Sequence, residues 1–225
     1  MTVSSAAITE RARQIRQELP DRVRLVAVSK TMPAEAIRAA HAAGIRDFGE
    51  NFVQEAASKQ QQLSDLDGIR WHLVGHLQRN KVKQALQHFH CIQSCDSLRL
   101  AQRLDRVAGD RGIRPPVCLQ VKPRPDPNKY GWTFEGLWAD LAELDHCRHL
   151  DVCGLMAILP LGLSQAEALE AFRSVRALAN RIASRQLSQI RMQELSMGMS
   201  ADYPLALQAG TTVVRLGQTI FGARS

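Results

Sequence analysis

The chain is 225 residues long, with 45% apolar and 23% charged residues, enough apolar surface for a substantial core, which excludes a mainly disordered state. Its 14 glycines and 9 prolines exclude collagen-like and low-complexity classes, and a formal net charge of +7 suits a partner carrying phosphate or carboxylate. The five cysteines (Cys91, Cys95, Cys118, Cys147 and Cys153) include no C-x-x-C pair and read as reduced, buried thiols rather than disulfides or a zinc ribbon.

A first helix is predicted over 4–18. Its Glu10, Arg11, Arg13 and Arg16 do not suit a signal-peptide core. No apolar run approaches the roughly 18 residues that cross a bilayer, so a cytoplasmic location and no membrane partner are expected. Residues 24–28 read as a strand, followed by a helix that Pro33 opens and Gly44 closes, with Ala36, Ile37 and Ala40 on one face. Further strands are predicted at 45–48, 70–74, 91–94, 117–121, 151–156, 192–196 and 212–216. Helical patterns lie between them at about 51–65, 78–88, 96–109, 133–145, 164–187 and 201–209. Asp96, Thr133 and Ser164 are the N-cap candidates, with Glu135 and Glu167 in the following first turns.

Eight strands in strict alternation with helices predict parallel pairing and a (β/α)8 TIM-type barrel with an additional N-terminal helix. An open doubly wound sheet is the runner-up. No stretch reads as an interdomain linker, so residues 1–225 are expected to form a single domain. The most loop-like segment is 122–132, with Pro123, Pro125, Pro127 and Gly131 after the fifth strand; it is a covering loop or an ordinary surface loop.

In a barrel the C-terminal strand ends face the active site. The first strand ends in Val28-Ser29-Lys30, the second in Gly49-Glu50-Asn51, the third in His72 and Gly75-His76, and the eighth in Arg215-Leu216-Gly217. A lysine in such a place, in apolar surroundings and near other cations, becomes a nucleophile for a carbonyl, or simply extends to solvent. The segment Leu195-Ser196-Met197-Gly198-Met199-Ser200-Ala201-Asp202 supplies small residues and a hydroxyl at a helix start, and Gly217 opens another turn. Together they make a phosphate cradle after strands seven and eight. Glu50 either holds a neighbour in place or caps the next helix.

These residues carry a resemblance. Val28-Ser29-Lys30-Thr31, Phe48-Gly49-Glu50-Asn51-Phe52-Val53-Gln54-Glu55, Trp71-His72-Leu73-Val74-Gly75-His76-Leu77-Gln78-Arg79-Asn80-Lys81, the 195–202 segment, Val214-Arg215-Leu216-Gly217 and Ile220-Phe221-Gly222-Ala223-Arg224 resemble the pyridoxal 5′-phosphate (PLP) homeostasis proteins. That family is similar to the N-terminal barrel of alanine racemase. The resemblance implies a Schiff base between the PLP aldehyde and Lys30. It implies phosphate binding by Ser200, Gly217 and Gln218, Arg215 facing the pyridine nitrogen, and Asn51 and His72 lining the ring. It also implies a monomer that handles PLP, with apo PLP-dependent enzymes as recipients. Two positions depart from the pattern: Lys122 stands where an asparagine is usual, and Tyr130 interrupts an otherwise kept Lys-x-Gly frame.

Arg215 sets the expected chemistry. A pyridoxal ring is a strong electron sink when a carboxylate keeps its nitrogen protonated, and a permanently cationic arginine disfavours that proton. Racemisation further needs an acid/base opposite the lysine, and neither Tyr130 nor Tyr203 sits in a motif resembling one. The expected function is therefore carriage and buffering of PLP with little or no turnover; the alternative is a weak PLP-dependent racemase or related enzyme. Arg173, Arg176, Arg181, Arg185 and Arg191 could track nucleic acid, but no aromatic residues interleave with them, so a solvated helix face is expected. Neither His88-Phe89-His90-Cys91 with Cys95 nor the pair His72 and His76 has a familiar metal-ligand spacing. Lys129 is either a transient cofactor acceptor or a surface lysine.

Overall fold

The structure, a computed structural model, describes residues 4–222; Ala223 and Arg224 of the last motif lie outside the described residues. Eight parallel strands, β1 (Arg24–Val28), β2 (Asp47–Glu50), β3 (Arg70–Leu73), β4 (Cys91–Cys95), β5 (Pro116–Val121), β6 (Asp151–Ala157), β7 (Ile190–Ser196) and β8 (Val213–Leu216), form a closed barrel in chain order. The barrel shuts where β1 pairs with β8, with Val26 opposite Arg215. At the β7–β8 seam the ladder is short, and the buried Thr211 hydroxyl meets the carbonyls of Leu195, Met197 and Val213 at 2.7–3.0 Å.

Helix α1 (Ser5–Glu18) precedes the barrel, and α2 (Ala34–Ala42), α3 (Val53–Gln62), α4 (Val82–His88), α5 (Leu98–Asp110), α6 (Phe134–Asp145), α7 (Gln165–Ala183) and α8 (Tyr203–Gln208) follow successive strands. A four-residue α9 (Gln218–Phe221) follows β8. Ile8, Ala12 and Ile15 of α1 are buried, packing this extra helix on α2 and α9. Ser164 and Glu167 form a reciprocal capping box on α7, and Thr133 accepts from Gly136 N–H on α6; both ends follow from N-cap chemistry.

Several boundaries differ from the sequence reading, and three have a local physical reason. β2 runs 47–50 rather than 45–48, because Gly49 and Glu50 are buried barrel residues that pair with His72 and Leu73 of β3. The pattern at 78–88 opens with a 3-10 turn, Arg79–Lys81. Asp96 does not cap α5: the N-cap is Ser97, and the Asp96 carboxylate instead pairs with His76 Nδ1 at 2.6 Å.

Between sheet and helices the core is apolar, with Phe48, Phe172, Ile37, Leu104 and Leu119 fully covered. Inside the barrel it is not. Asp47, His72, Gln93, Gln120, Ser196 and Arg215 are all buried, where branched aliphatic layers are the norm. All five cysteines are buried free thiols.

Candidate functional site

A cavity of about 280 Å³ opens at the C-terminal end of the barrel, and Lys30, Asn51, Ser200, Arg215, Gly217 and Gln218 line it together with Val28, Val74 and Ile158. Six of the seven residues singled out by the sequence thus share one wall. His72 does not. It precedes Val74 by two residues and faces the barrel interior one layer deeper, only 3% exposed, with Nε2 2.8 Å from Asp47 Oδ1 and Nδ1 3.1 Å from Gln93 Nε2. The side chain at the end of β3 that lines this cavity is Val74, two residues further along the same face of the chain.

Lys30 is held by what flanks it. The next residue, Thr31, has φ 65°, a left-handed conformation that is strained for a β-branched residue and costs on the order of 1–3 kcal/mol. Glu55 Oε1 accepts the Thr31 N–H at 2.5 Å. On the other side, the Ser29 hydroxyl donates to Glu50 Oε1 at 2.6 Å. The Lys59 ammonium donates to the Ser29 carbonyl, Glu50 Oε1 and Glu55 Oε1, each at 2.7 Å. Lys59 is 6% and Glu50 0% exposed, so the three donors of one ammonium are spent inside the protein on the segment that carries Lys30. Burial pushes the Glu50 carboxyl up, against the hydrogen bonds from Lys59 and Ser29. Glu50 is therefore a neighbour-holding residue and not a cap.

Asn51 is set by Gly75: a Cβ there would lie 2.5 Å from the Asn51 carbonyl oxygen and 2.7 Å from its Cα, so only glycine lets the end of β3 close on this side chain. On the far wall, Gly198 has φ 92°, and its missing Cβ would fall 2.7 Å from the Ala206 methyl. The Gly198 carbonyl accepts Arg215 N–H at 3.0 Å, which ties the β7–α8 loop to β8. The Ser200 hydroxyl accepts the Thr219 N–H at 3.2 Å and so meets the turn at Gly217 and Gln218.

Arg215 completes the cavity. Its Nη1 donates to the Ser196 carbonyl and hydroxyl at 2.6 and 2.7 Å, and Nη2 to the Ala157 carbonyl at 2.8 Å. Burial pushes the guanidinium down to about 10, with Asp202 and Cys118 opposing the shift, so it is cationic at neutral pH.

The loop at 122–132 leans over a neighbouring cavity of about 380 Å³ that shares Asn51. Tyr130 stacks on His76 there, with centroids 3.7 Å apart and planes at 10°. Lys129 pairs with Asp126 at 3.0 Å. The arginines of the α7 region are engaged rather than aligned: Arg181 and Arg185 lie 4.6 and 5.0 Å from the Trp138 ring, Arg176 donates to the Gly210 carbonyl, and Arg191 pairs with Asp151.

Lys59, Glu55, Thr31, Gln93 and Ser196 went unremarked in the sequence as supports of the site. Lys59 sits in the polar run Gln54-Glu55-Ala56-Ala57-Ser58-Lys59-Gln60; its only local signal is the i,i+4 spacing from Glu55.

Comparison with known proteins places the chain among relatives. Residues 3–225 match the family model described as alanine racemase, N-terminal domain. The pyridoxal phosphate homeostasis protein of Synechocystis sp. is 47% identical over 206 residues, covering 92% of this chain and 94% of that protein. The protein of that name from Pseudomonas aeruginosa is 42% identical, with coverage of 97% and 92%. The structure of PipY from Synechococcus elongatus with PLP bound superposes with a TM-score of 0.91 at 49% identity, over 96% of this chain and all of that one. An alanine racemase from Clostridium difficile, at 12% identity, a TM-score of 0.82 and coverage of 97% and 57%, shares the fold.

Proposed function

Since the chain belongs to the pyridoxal phosphate homeostasis protein family, we propose that it binds PLP in the 280 Å³ cavity, holds it covalently through Lys30 and thereby carries and buffers the cofactor, with little or no turnover. The observation that carries this reading is one wall bearing a half-buried primary amine, a hydroxyl beside a glycine turn, and a buried guanidinium. Each suits one part of the molecule: the Lys30 amine the aldehyde, Ser200 with Gly217 and Gln218 the phosphate dianion, and Arg215 the ring nitrogen, with Asn51 beside the ring.

When bound, PLP supplies an aldehyde carbon that a primary amine attacks reversibly, forming a carbon–nitrogen double bond with loss of water. The chain's residues favour capture over catalysis. Arg215, fixed by three hydrogen bonds and cationic at neutral pH, opposes a proton on the ring nitrogen. Among the described residues lining the cavity, Lys30 and Arg215 are the titratable side chains, and Tyr203 reaches instead toward Glu18, 3.4 Å away. An incoming amine can displace Lys30, which supports release of cofactor to apo PLP-dependent enzymes. We extend the proposal to a single-domain, cytoplasmic monomer; among the described residues no helix is long and apolar enough to cross a membrane.

Adding PLP to the purified chain should produce a visible absorbance band that Lys30→Ala lacks while its circular dichroism stays unchanged. Incubation of the loaded protein with alanine in deuterated buffer should leave Cα–H in place on a timescale of seconds. Rapid exchange at Cα would replace the carrier reading with that of a racemase-like enzyme.

A further inference from the structure

Behind Arg215 a line of side chains crosses the barrel interior from the cavity to the opposite mouth, with a guanidinium that only donates at one end and a carboxylate that accepts at the other. A guanidinium only donates, so the Ser196 hydroxyl, 2.7 Å from Nη1, accepts. Its own proton goes to Gln93 Oε1 at 2.6 Å. This turns the Gln93 amide nitrogen toward His72, where Nδ1 accepts at 3.1 Å. His72 must then carry its proton on Nε2, and donates it to Asp47 Oδ1 at 2.8 Å. The Asp47 carboxylate closes the line in a two-point ion pair with Arg70, at 2.9 and 2.6 Å. The links come from five strands, and Gln93 and Ser196 are completely buried.

The polarity admits no half measures. Reversing the Gln93 amide would point its N–H₂ at a serine oxygen already receiving Arg215 and would require a second proton on the His72 ring, at Nδ1. The serine proton would then have no acceptor in the line. Inside the barrel an unmade hydrogen bond leaves a desolvated polar group without compensation, so the five groups hold one another in a single arrangement. The three bonds on Arg215 use three of its five N–H groups, leaving Nε–H and one Nη2 hydrogen for the cavity.

We propose that Ser196, Gln93 and His72 are positioning residues for Arg215: a one-way hydrogen-bond chain, anchored on the Asp47–Arg70 pair at the far mouth, fixes which guanidinium donors face the cavity. As it concerns a bound ring nitrogen, the consequence rests on the function proposed above; the chain itself does not. A substitution at His72, outside the cavity wall, should therefore alter Arg215.

The test compares two replacements for His72. His72→Gln keeps the polarity, since its amide oxygen can accept from Gln93 and its nitrogen can donate to Asp47; His72→Leu breaks it. Ser196→Ala removes a single oxygen from the line and serves should His72→Leu fail to fold. In the cofactor-free full-length chain, solvent exchange of the Arg215 Nε–H, followed by ¹⁵N NMR, should quicken roughly tenfold in His72→Leu and Ser196→Ala, about the worth of one net hydrogen bond, and stay near wild type in His72→Gln. In the chain loaded with ring-¹⁵N PLP, the nitrogen resonance should move in the first two variants and return in His72→Gln. Equal behaviour of His72→Gln and His72→Leu, or an Arg215 signal indifferent to all three, would overturn the chain. If PLP gives no band dependent on Lys30 while the cofactor-free Arg215 signal responds as described, the proposed function fails and the positioning chain stands.

Discussion

The two mouths of the barrel use charge differently. At the N-terminal mouth, cations and anions neutralise each other across neighbouring strands: Arg24 meets Glu194 at 2.7 Å and Arg70 meets Asp47 at 2.6 Å. At the C-terminal mouth, the Lys30 amine and the Arg215 guanidinium share a cavity whose other walls are uncharged. The carboxylates that brace the Lys30 segment, Glu50 and Glu55, pair with Lys59. Internal pairing stabilises a fold, whereas two cationic side chains lining one cavity suit an anionic ligand. The same eight strands therefore carry a stability end and a binding end, the division expected of parallel barrels.

The sharpest way to break the contrast is at the binding end. Lys30→Ala should abolish covalent capture of PLP outright, read by the loss of its visible band, while thermal unfolding shifts by no more than a degree or two. Removing the support behind it should do the reverse. Lys59→Met leaves Glu50, completely buried, with an uncompensated charge, and loss of one partner of such a pair costs about 3–5 kcal/mol; urea unfolding would measure it. A loss under about 1 kcal/mol would show that Lys59 is not the keystone of the Lys30 segment.

At the other mouth the stabilising effect is tied to acid. Burial pushes the Asp47 carboxyl up, but the hydrogen bonds from His72 and Arg70 outweigh it and hold it at about 2, below the ordinary 3.8. Because the folded value lies below the unfolded one, the contribution is complete above about pH 4 and is lost as the pH falls toward 2, amounting to about 2 kcal/mol. Asp47→Asn should flatten the stability profile in that window. The smallest effect belongs to neither mouth: Ser164→Ala removes the reciprocal cap of α7 and should cost about 1 kcal/mol, leaving PLP capture untouched.

How far the sequence anticipates all this divides along the same line. The strand–helix rhythm is local, so β1 and the start of β3 fall where periodicity puts them, and the caps at Thr133 and Ser164 form as their chemistry dictates. The cavity wall is legible because strand ends converge in any parallel barrel, which brings Lys30, Ser200 and Arg215 together. What escapes is whatever depends on register across the barrel. Lys59 reads as a solvent lysine in a polar helix and is buried only because α3 packs over the Ser29–Glu50 contact. Asp96 has the chemistry of a cap, but His76 arrives from the adjacent loop and takes it. His72 is placed below the cavity because Val74, two residues further along the same face of the chain, takes the wall position.

Whether Lys30 is the residue that captures PLP is the claim on which the rest depends. Borohydride reduction of the PLP-loaded chain, followed by proteolysis and mass mapping, tests it most directly. One phosphopyridoxyl adduct on the peptide containing Lys30, absent from Lys30→Ala, is the predicted result; a principal adduct on Lys59 or Lys129, or none at all, would contradict it.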